Sequence, residues 1–219
     1  MLRSLGVSER RVLLDVELER LGPSLFGVVL DVGGRRRLRG RFTPPAGQCK
    51  RWIRINVDLG AGPDLAADAT ALPVRGATAD AVLCAETLQY VDRPERAMAE
   101  FSRVLAPGGR VILSAPFLHR ADTATDRHRF TAARLEELAA SAGLAVERLT
   151  SQGLFFTTLG SFLRQGAAAV AWRPLRIAAA VVVAPLVGGL GWLDRLPAAR
   201  RSPFLASFST GFLLVARKP

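Results

Sequence analysis

Acidic residues close three apolar runs of this 219-residue chain. Asp31 stands near the end of FGVVLDV (26–32), Asp58 ends RWIRINVD (51–58) and Glu86 ends DAVLCAE (80–86). The first acid is followed by Gly33 and Gly34, and an apolar strand that ends in an acid and glycines is how many nucleotide-cofactor sites begin. Where more glycine would be expected come five arginines, Arg35, Arg36, Arg37, Arg39 and Arg41. Both histidines, His119 and His128, fall in one segment, PFLHRADTATDRHRFT (116–131), with Asp122, Asp126, Arg127 and Arg129. A histidine there could serve as a general base. Each residue also has a plain structural use. Asp31 can end a strand, Gly33-Gly34 and Asp68 can form turns, and Asp126 with Arg129 can pin a loop.

These residues need a frame that brings strand ends together. Ser8 can cap a short helix running to about Leu21, which GPS then breaks. The runs at 26–32, 51–58 and 80–86 suit strands, the first buried on both faces as in a parallel sheet. The stretch 93–109 has a helical apolar face of Ala97, Phe101, Val104 and Leu105, stopped by Pro107-Gly108-Gly109. A strand over 110–117, a helix over 131–144 capped by Thr131 and stopped by Gly143, and a strand over 145–155 follow. Strands alternating with helices predict a Rossmann-like, doubly wound, mostly parallel α/β sheet. Right-handed crossovers would place Asp31, Asp58 and Glu86 along one edge, where such sheets bind ligands.

Composition narrows the partners. The formal charge is +11, yet Lys50 and Lys218 are the only lysines, so the arginine excess fits a coding bias as well as an anionic partner. No CxxC pair or Cys/His cluster accompanies Cys49 and Cys84, so no metal site is expected and a reducing compartment fits. The N-terminal stretch lacks a continuous apolar core, so no signal peptide is expected.

The apolar excess gathers in IAAAVVVAPLVGGLGWL (177–193), uncharged and flanked by Arg173, Arg176, Asp194 and Arg195. A buried dimer helix, an interfacial helix and a spanning helix all compete for it. Trp172 and Trp192 suit a membrane interface. A final strand, STGFLLVARKP, rejoins the sheet, so the segment is an insert, and a single crossing could not return the chain. The expected division is an α/β domain with an N-terminal helix over 1–156, an apolar helical insert over 157–203, membrane-interfacial or dimer-forming, and a last strand within 204–219 that rejoins the sheet.

In their order, four blocks resemble the class I S-adenosylmethionine-dependent methyltransferases, most closely the type 11 group. They are VVLDVGG (28–34), INVDLGAGPDLAADATALPV (55–74), ADAVLCAETLQYVDRPERAMAEFSRVLAPGGRVILSAPF (79–117) and GFLLVARKP (211–219). The resemblance spans about residues 26 to 155 plus the last strand, and it implies S-adenosylmethionine as cofactor. It implies that Asp31 helps hold the cofactor ammonium, that Gly33 and Gly34 admit the methionine part, and that Asp58 accepts from the ribose hydroxyls. Asp68 and Ala69 would meet the adenine, with Leu72-Pro73 closing that wall. Glu86, Thr87, Leu88 and Gln89 would line the methionine end and the acceptor mouth. The family pattern D-x-G-x-G-x-G is broken, because Arg35 and Arg37 stand at its second and third glycines. A subset associated with glycan or envelope metabolism carries Pro…His…Asp-x-x-Arg-Phe-Thr, which His119, Asp126, Arg129, Phe130 and Thr131 match.

The resulting expectation is a methyltransferase acting on a small or lipid- or glycan-type acceptor, with His119 or the weaker candidate His128 as base. It would be cytoplasmic and peripheral on the inner membrane face through 172–195, or a homodimer. One rival is a non-catalytic methyltransferase-like subunit that no longer binds cofactor. The other is a basic nucleic-acid-binding protein using Arg35 to Arg41. No aromatic interleaves that run before Phe42, and no reader motif is present, so nucleic acid is not the expected partner.

Overall fold

The computed structural model describes residues 9–37, 40–45, 47–121 and 123–219, so Ser8, Arg39 and Asp122 lie outside the described residues. Seven strands form one sheet: β1 (Gly27–Val32), β2 (Cys49–Asn56), β3 (Leu65–Ala66), β4 (Ala79–Ala85), β5 (Leu105–Pro116), β6 (Ala145–Ser151) and β7 (Gly211–Arg217). Their order is β3-β2-β1-β4-β5-β7-β6. The first five strands pair in parallel, and β7 runs antiparallel between β5 and β6. This is the expected doubly wound sheet, with the chain's last strand inserted near one edge.

Period-two alternation sorts the central strands into two cores. Leu30, Val82, Cys84, Val111 and Leu113 face one way and pack under α2 (Pro94–Val104) and α3 (Ala132–Ser141). Val29, Ala81, Leu83 and Ile112 face the other way and pack under Leu14 and Leu18 of α1 (Glu9–Leu21). Burial on both faces explains why these strands read as unbroken apolar runs. Helix ends follow local chemistry. Pro94 starts α2 at a position where its missing N–H costs nothing. Thr131 accepts the Arg134 N–H at 3.2 Å to cap α3, and Gly143 leaves it at φ +71°.

Three expectations need correcting. The helix predicted over 93–109 ends at Val104, and Leu105 to Arg110 already belong to β5. Backbone there finds sheet partners instead. Ala79 pairs with Leu105 and Ala81 with Arg110, a bulge in the β4–β5 ladder, while the Gly108 N–H donates to the Lys218 carbonyl at 2.9 Å. Asp58 lies beyond β2, which stops at Asn56, and heads a 3-10 turn over Leu59–Ala61. Strand–helix alternation also fails between β1 and β2, where the described residues hold no helix. Gly33, Gly34, Gly40, Gly47 and Pro44-Pro45 make that crossover a poor helix former.

The apolar insert is a helical hairpin. α4 (Phe155–Ala169) and α5 (Arg173–Leu193) run antiparallel, with Gly160 of α4 set against Val187 and Leu190 of α5. Two short helices, α6 (Pro197–Arg201) and α7 (Pro203–Ala206), return the chain to β7. Only Val187 of α5 is buried, so α5 is not a core helix. Its 21 residues contain an 18-residue window of mean hydropathy 1.8, long and apolar enough to cross a membrane. The hairpin leaves from the sheet edge that holds the strand carboxyl ends, since Ser151 lies beside Phe212 and Pro116 beside Gly211.

One carboxylate ties the hairpin's base. Asp194 is buried and accepts three N–H groups at the start of α4, from Leu154 at 2.9 Å, Phe156 at 3.1 Å and Thr157 at 2.8 Å. These are the orphan donors of a helix N-terminus, and the negative charge also complements the helix dipole. Replacing Asp194 with Ala is expected to destabilise the protein by about 1–3 kcal/mol in urea denaturation. It should also raise amide exchange across 154–193. A change within about 0.3 kcal/mol, with exchange unaltered, would show that this cap holds nothing.

Candidate functional site

A cleft of about 730 Å³ runs along the carboxyl edge of the sheet. Asp31, Gly33, Gly34, Asp58, Asp68, Ala69, Glu86 and Thr87 all line it, whereas Leu72, Leu88 and Gln89, expected beside them, are buried and do not, and Pro73 is not among the lining residues either. α1 closes one side through Arg11 and Leu18, and Thr123, Thr125 and Arg127 reach it from the loop after β5.

The two glycines are required by packing as well as by access. Gly33 sits at φ +81°, and a side chain on it would collide with the Thr87 hydroxyl. A Cβ on Gly34 would lie 2.5 Å from the Asp31 carboxyl carbon. The turn is held on both sides: the Gly33 N–H donates to the Ile55 carbonyl at 2.7 Å, and the Asn56 side-chain amide donates to the Gly34 carbonyl at 3.1 Å.

Each strand-end acid has a different partner. The Trp52 indole N–H donates to Asp31 at 3.1 Å. Burial nevertheless dominates and pushes the Asp31 carboxyl up to about 6, against the pull of that hydrogen bond and of Arg54 and Arg11. Asp58 is half-exposed. It accepts the Gly60 N–H at 2.9 Å on one oxygen and meets the Arg35 guanidinium at 3.3 Å on the other. Glu86 is paired with Arg10 of α1, both side chains nearly buried, and the Ser114 hydroxyl donates to its other oxygen at 3.0 Å. Its backbone is left-handed, φ +56°, and is fixed by the Glu86 N–H on the Ser114 carbonyl at 3.0 Å. Asp68 accepts both the N–H and the hydroxyl of Thr70 at 2.7 Å beside the buried Ala69.

The histidines are placed differently. Neither His119 nor His128 is among the residues lining the cleft. The His128 ring stacks 5.6 Å from Phe130. Arg129 staples their loop: it binds Asp126 through two N–H groups at 2.5 and 2.8 Å and donates to the carbonyls of His119, Arg120 and His128. Asp126 is almost fully buried in that pair. The pinned loop therefore offers the cleft threonines and Arg127, and the histidines stand aside.

Sequence reasoning missed Arg10, Trp52 and Ser114 as partners of the acids. A signal for Arg10 was present, because Arg10, Leu14 and Leu18 share one stripe at i, i+4 and i+8, and all three are buried. Trp52 and Ser114 lie on neighbouring strands and carry no local signature.

The Asp31 environment fixes a pH dependence. Its folded value near 6 lies above the ordinary 3.8, so the folded state holds this proton more tightly than the unfolded chain does. The protonated form contributes stability fully below pH 3.8, and that contribution is lost as pH rises through about 6. Asp31→Asn should remove this loss while keeping an acceptor for Trp52. The variant's stability relative to wild type should therefore rise between about pH 4 and 6 and stay higher at neutral pH. A stability difference that does not change with pH across that window would contradict the assignment.

Comparison with known proteins follows the same lines. Residues 48–113 match the family model of a methyltransferase domain. No curated protein matches the chain by sequence. Among solved structures, the [4+2]-cyclase SpnF superposes with a TM-score of 0.58 at 21% identity, covering 94% of this chain and 80% of that one. Geranyl diphosphate C-methyltransferase from Streptomyces coelicolor, solved with Mg2+, geranyl diphosphate and S-adenosyl-L-homocysteine, gives 0.57 at 13% identity over 94% and 81%. Phosphoethanolamine N-methyltransferase 2 from Haemonchus contortus gives 0.57 at 14% identity over 94% of this chain and 52% of that one. At these identities the likeness concerns the fold. Residues 48–113 thus read as a methyltransferase domain, and the chain has the fold of the class I S-adenosylmethionine-dependent methyltransferases.

Proposed function

We propose that the protein transfers a methyl group from S-adenosylmethionine to a small or lipid-linked acceptor at the inner face of the cytoplasmic membrane. The observation that carries this is the convergence of Asp31, Gly33, Asp58, Asp68 and Glu86 in one cleft, in the strand order of the fold. The cofactor, when bound, supplies a methyl group activated on a sulfonium. Gly33 and Gly34 leave room for its methionine part, and Asp31 and Glu86 set negative charge beside its cationic centres. Asp58 is placed to accept from the ribose diol, and Asp68 with Ala69 to meet the base. Methyl transfer is mainly a matter of alignment, which the pinned turns at 33–34 and 86–89 provide. With His119 and His128 off the cleft, proton removal from the acceptor falls to cleft groups such as Glu86 or Tyr90, or to an acceptor that needs no base.

The first test is calorimetric. Purified protein should bind S-adenosylmethionine and S-adenosylhomocysteine saturably, and Asp58→Ala should weaken both by roughly 10- to 100-fold. No heat and no thermal shift with either ligand would favour the rival, a methyltransferase-like subunit without cofactor. Two observations speak for that rival: Arg35 lies on Asp58, and SpnF shows the fold hosting a cyclase.

The membrane setting draws on the hairpin. Val181, Val182 and Leu186 of α5 and Phe162 of α4 are exposed, as are Trp172 and Trp192 at the ends of α5. Arg173, Arg176, Arg195, Arg200 and Arg201 flank this face, the arrangement that suits an anionic bilayer surface. The protein should co-sediment with vesicles containing phosphatidylglycerol and be released by salt or by Val181→Glu with Val182→Glu. A concentration-dependent dimer that ignores vesicles would assign the face to self-association instead.

A further inference from the structure

We infer that Arg35 competes with the cofactor's ribose for Asp58, a built-in latch across the ribose end of the cleft. The inference rests on the cleft being the cofactor site. Arg35 stands where the family pattern has its second glycine, and its guanidinium lies 3.3 Å from one oxygen of Asp58. The other oxygen already accepts the Gly60 N–H, so the oxygen that Arg35 meets is the one for which a ribose hydroxyl must compete.

The contact is fixed by the backbone on both sides of Arg35. The Gly34 carbonyl is held by the Asn56 side chain at 3.1 Å, and the Arg36 N–H donates to the Ala61 carbonyl at 2.9 Å. Asn56 also accepts the Asp58 N–H at 3.0 Å, so the same residue sets both halves of the pair. Arg36 continues across the same turn toward Asp64 at 3.7 Å. Residues 35 and 36 are thus folded onto the 58–62 turn, and the described residues of the crossover form no helix. A fold of this kind normally offers the ligand a helix N-terminus at this point, and here the positive charge is delivered by a side chain that can swing.

The pair is weak enough to be displaced. About 36% of the Arg35 side chain and 50% of the Asp58 side chain are exposed, so water and salt screen the attraction. A guanidinium presents parallel N–H donors to a carboxylate much as a diol presents two O–H donors. Ligand entry therefore exchanges one set of donors for another, and the latch lowers affinity without closing the cleft.

The test is a titration series with S-adenosylhomocysteine on wild type, Arg35→Ala, Asp58→Asn and the double variant, at about 50 and 300 mM NaCl. Arg35→Ala should bind roughly 2- to 5-fold tighter than wild type at low salt, with the gap shrinking at high salt. Asp58→Asn should bind more weakly, and adding Arg35→Ala to it should bring no gain, because the competitor and its target form one unit. Equal or weaker binding by Arg35→Ala, with wild type still binding, would overturn the latch while leaving the cofactor site standing. Absence of binding in all four proteins, each folded by circular dichroism, would overturn the cofactor site itself.

Discussion

Keeping Asp31, Asp58 and Glu86 side by side at one sheet edge is the constraint on which the rest of the structure depends. Strand topology draws three carboxylates to one cleft, and those that lose water, Asp31 and Glu86, need partners. The chain solves this three ways. Asp31 takes an indole hydrogen bond, and burial pushes its carboxyl up to about 6. Asp58 stays at the rim and takes an arginine from the neighbouring crossover. Glu86 takes Arg10 from the N-terminal helix and Ser114 from the next strand. Arg11, Arg35, Arg93, Arg96 and Arg127 line the same cleft, so its acids stand among arginines.

That compensation also couples distant parts of the chain. α1 reaches Glu86 through Arg10, α4 through the Glu9–Arg164 pair, β6 through Glu17 and Arg148 at 2.7 Å, and the crossover loop through Asp15 on the Arg41 N–H at 2.7 Å. One short helix thus joins the cleft, the sheet edge and the base of the apolar hairpin. A buried ion pair such as Arg10–Glu86 is costly to break singly, since the survivor is left charged in a dry site. The N-terminal helix is therefore part of the cleft wall, not an ornament on the domain.

Much of the frame was legible in the sequence because two-sided burial writes itself as unbroken apolar runs, as in VVLDV and DAVLCA. The insert was legible too, through its charge-free length. Boundaries were less so. The helical periodicity of 93–105 continued into residues whose backbone found better partners across the bulge at Ala79 and Ala81. The acids were visible as strand-end residues, but Arg10, Trp52 and Ser114 were not, because what selects them is proximity across strands or helices distant in sequence. Asp194 is the clearest case: it caps a helix that begins some forty positions earlier. His119 and His128 stood out by chemistry, and His119 by family pattern, yet the geometry of their loop is set by Arg129, whose carbonyl contacts no local pattern announces.

The departure at Arg35 and Arg37 is where sequence and structure sharpen each other. The spaced glycines are absent and the described residues of the crossover hold no helix, yet the cleft is present, because Gly33 and Gly34 leave room beside Thr87 and Asp31 while Ile55 and Asn56 hold the turn. The central claim is that this cleft holds the cofactor with its ribose on Asp58. A crystal structure of the protein soaked with S-adenosylhomocysteine tests it most directly. The account predicts density between Gly33, Asp58 and Asp68, with the ribose hydroxyls on Asp58 and Arg35 swung away. An empty cleft at saturating ligand, with Arg35 still on Asp58, would contradict it.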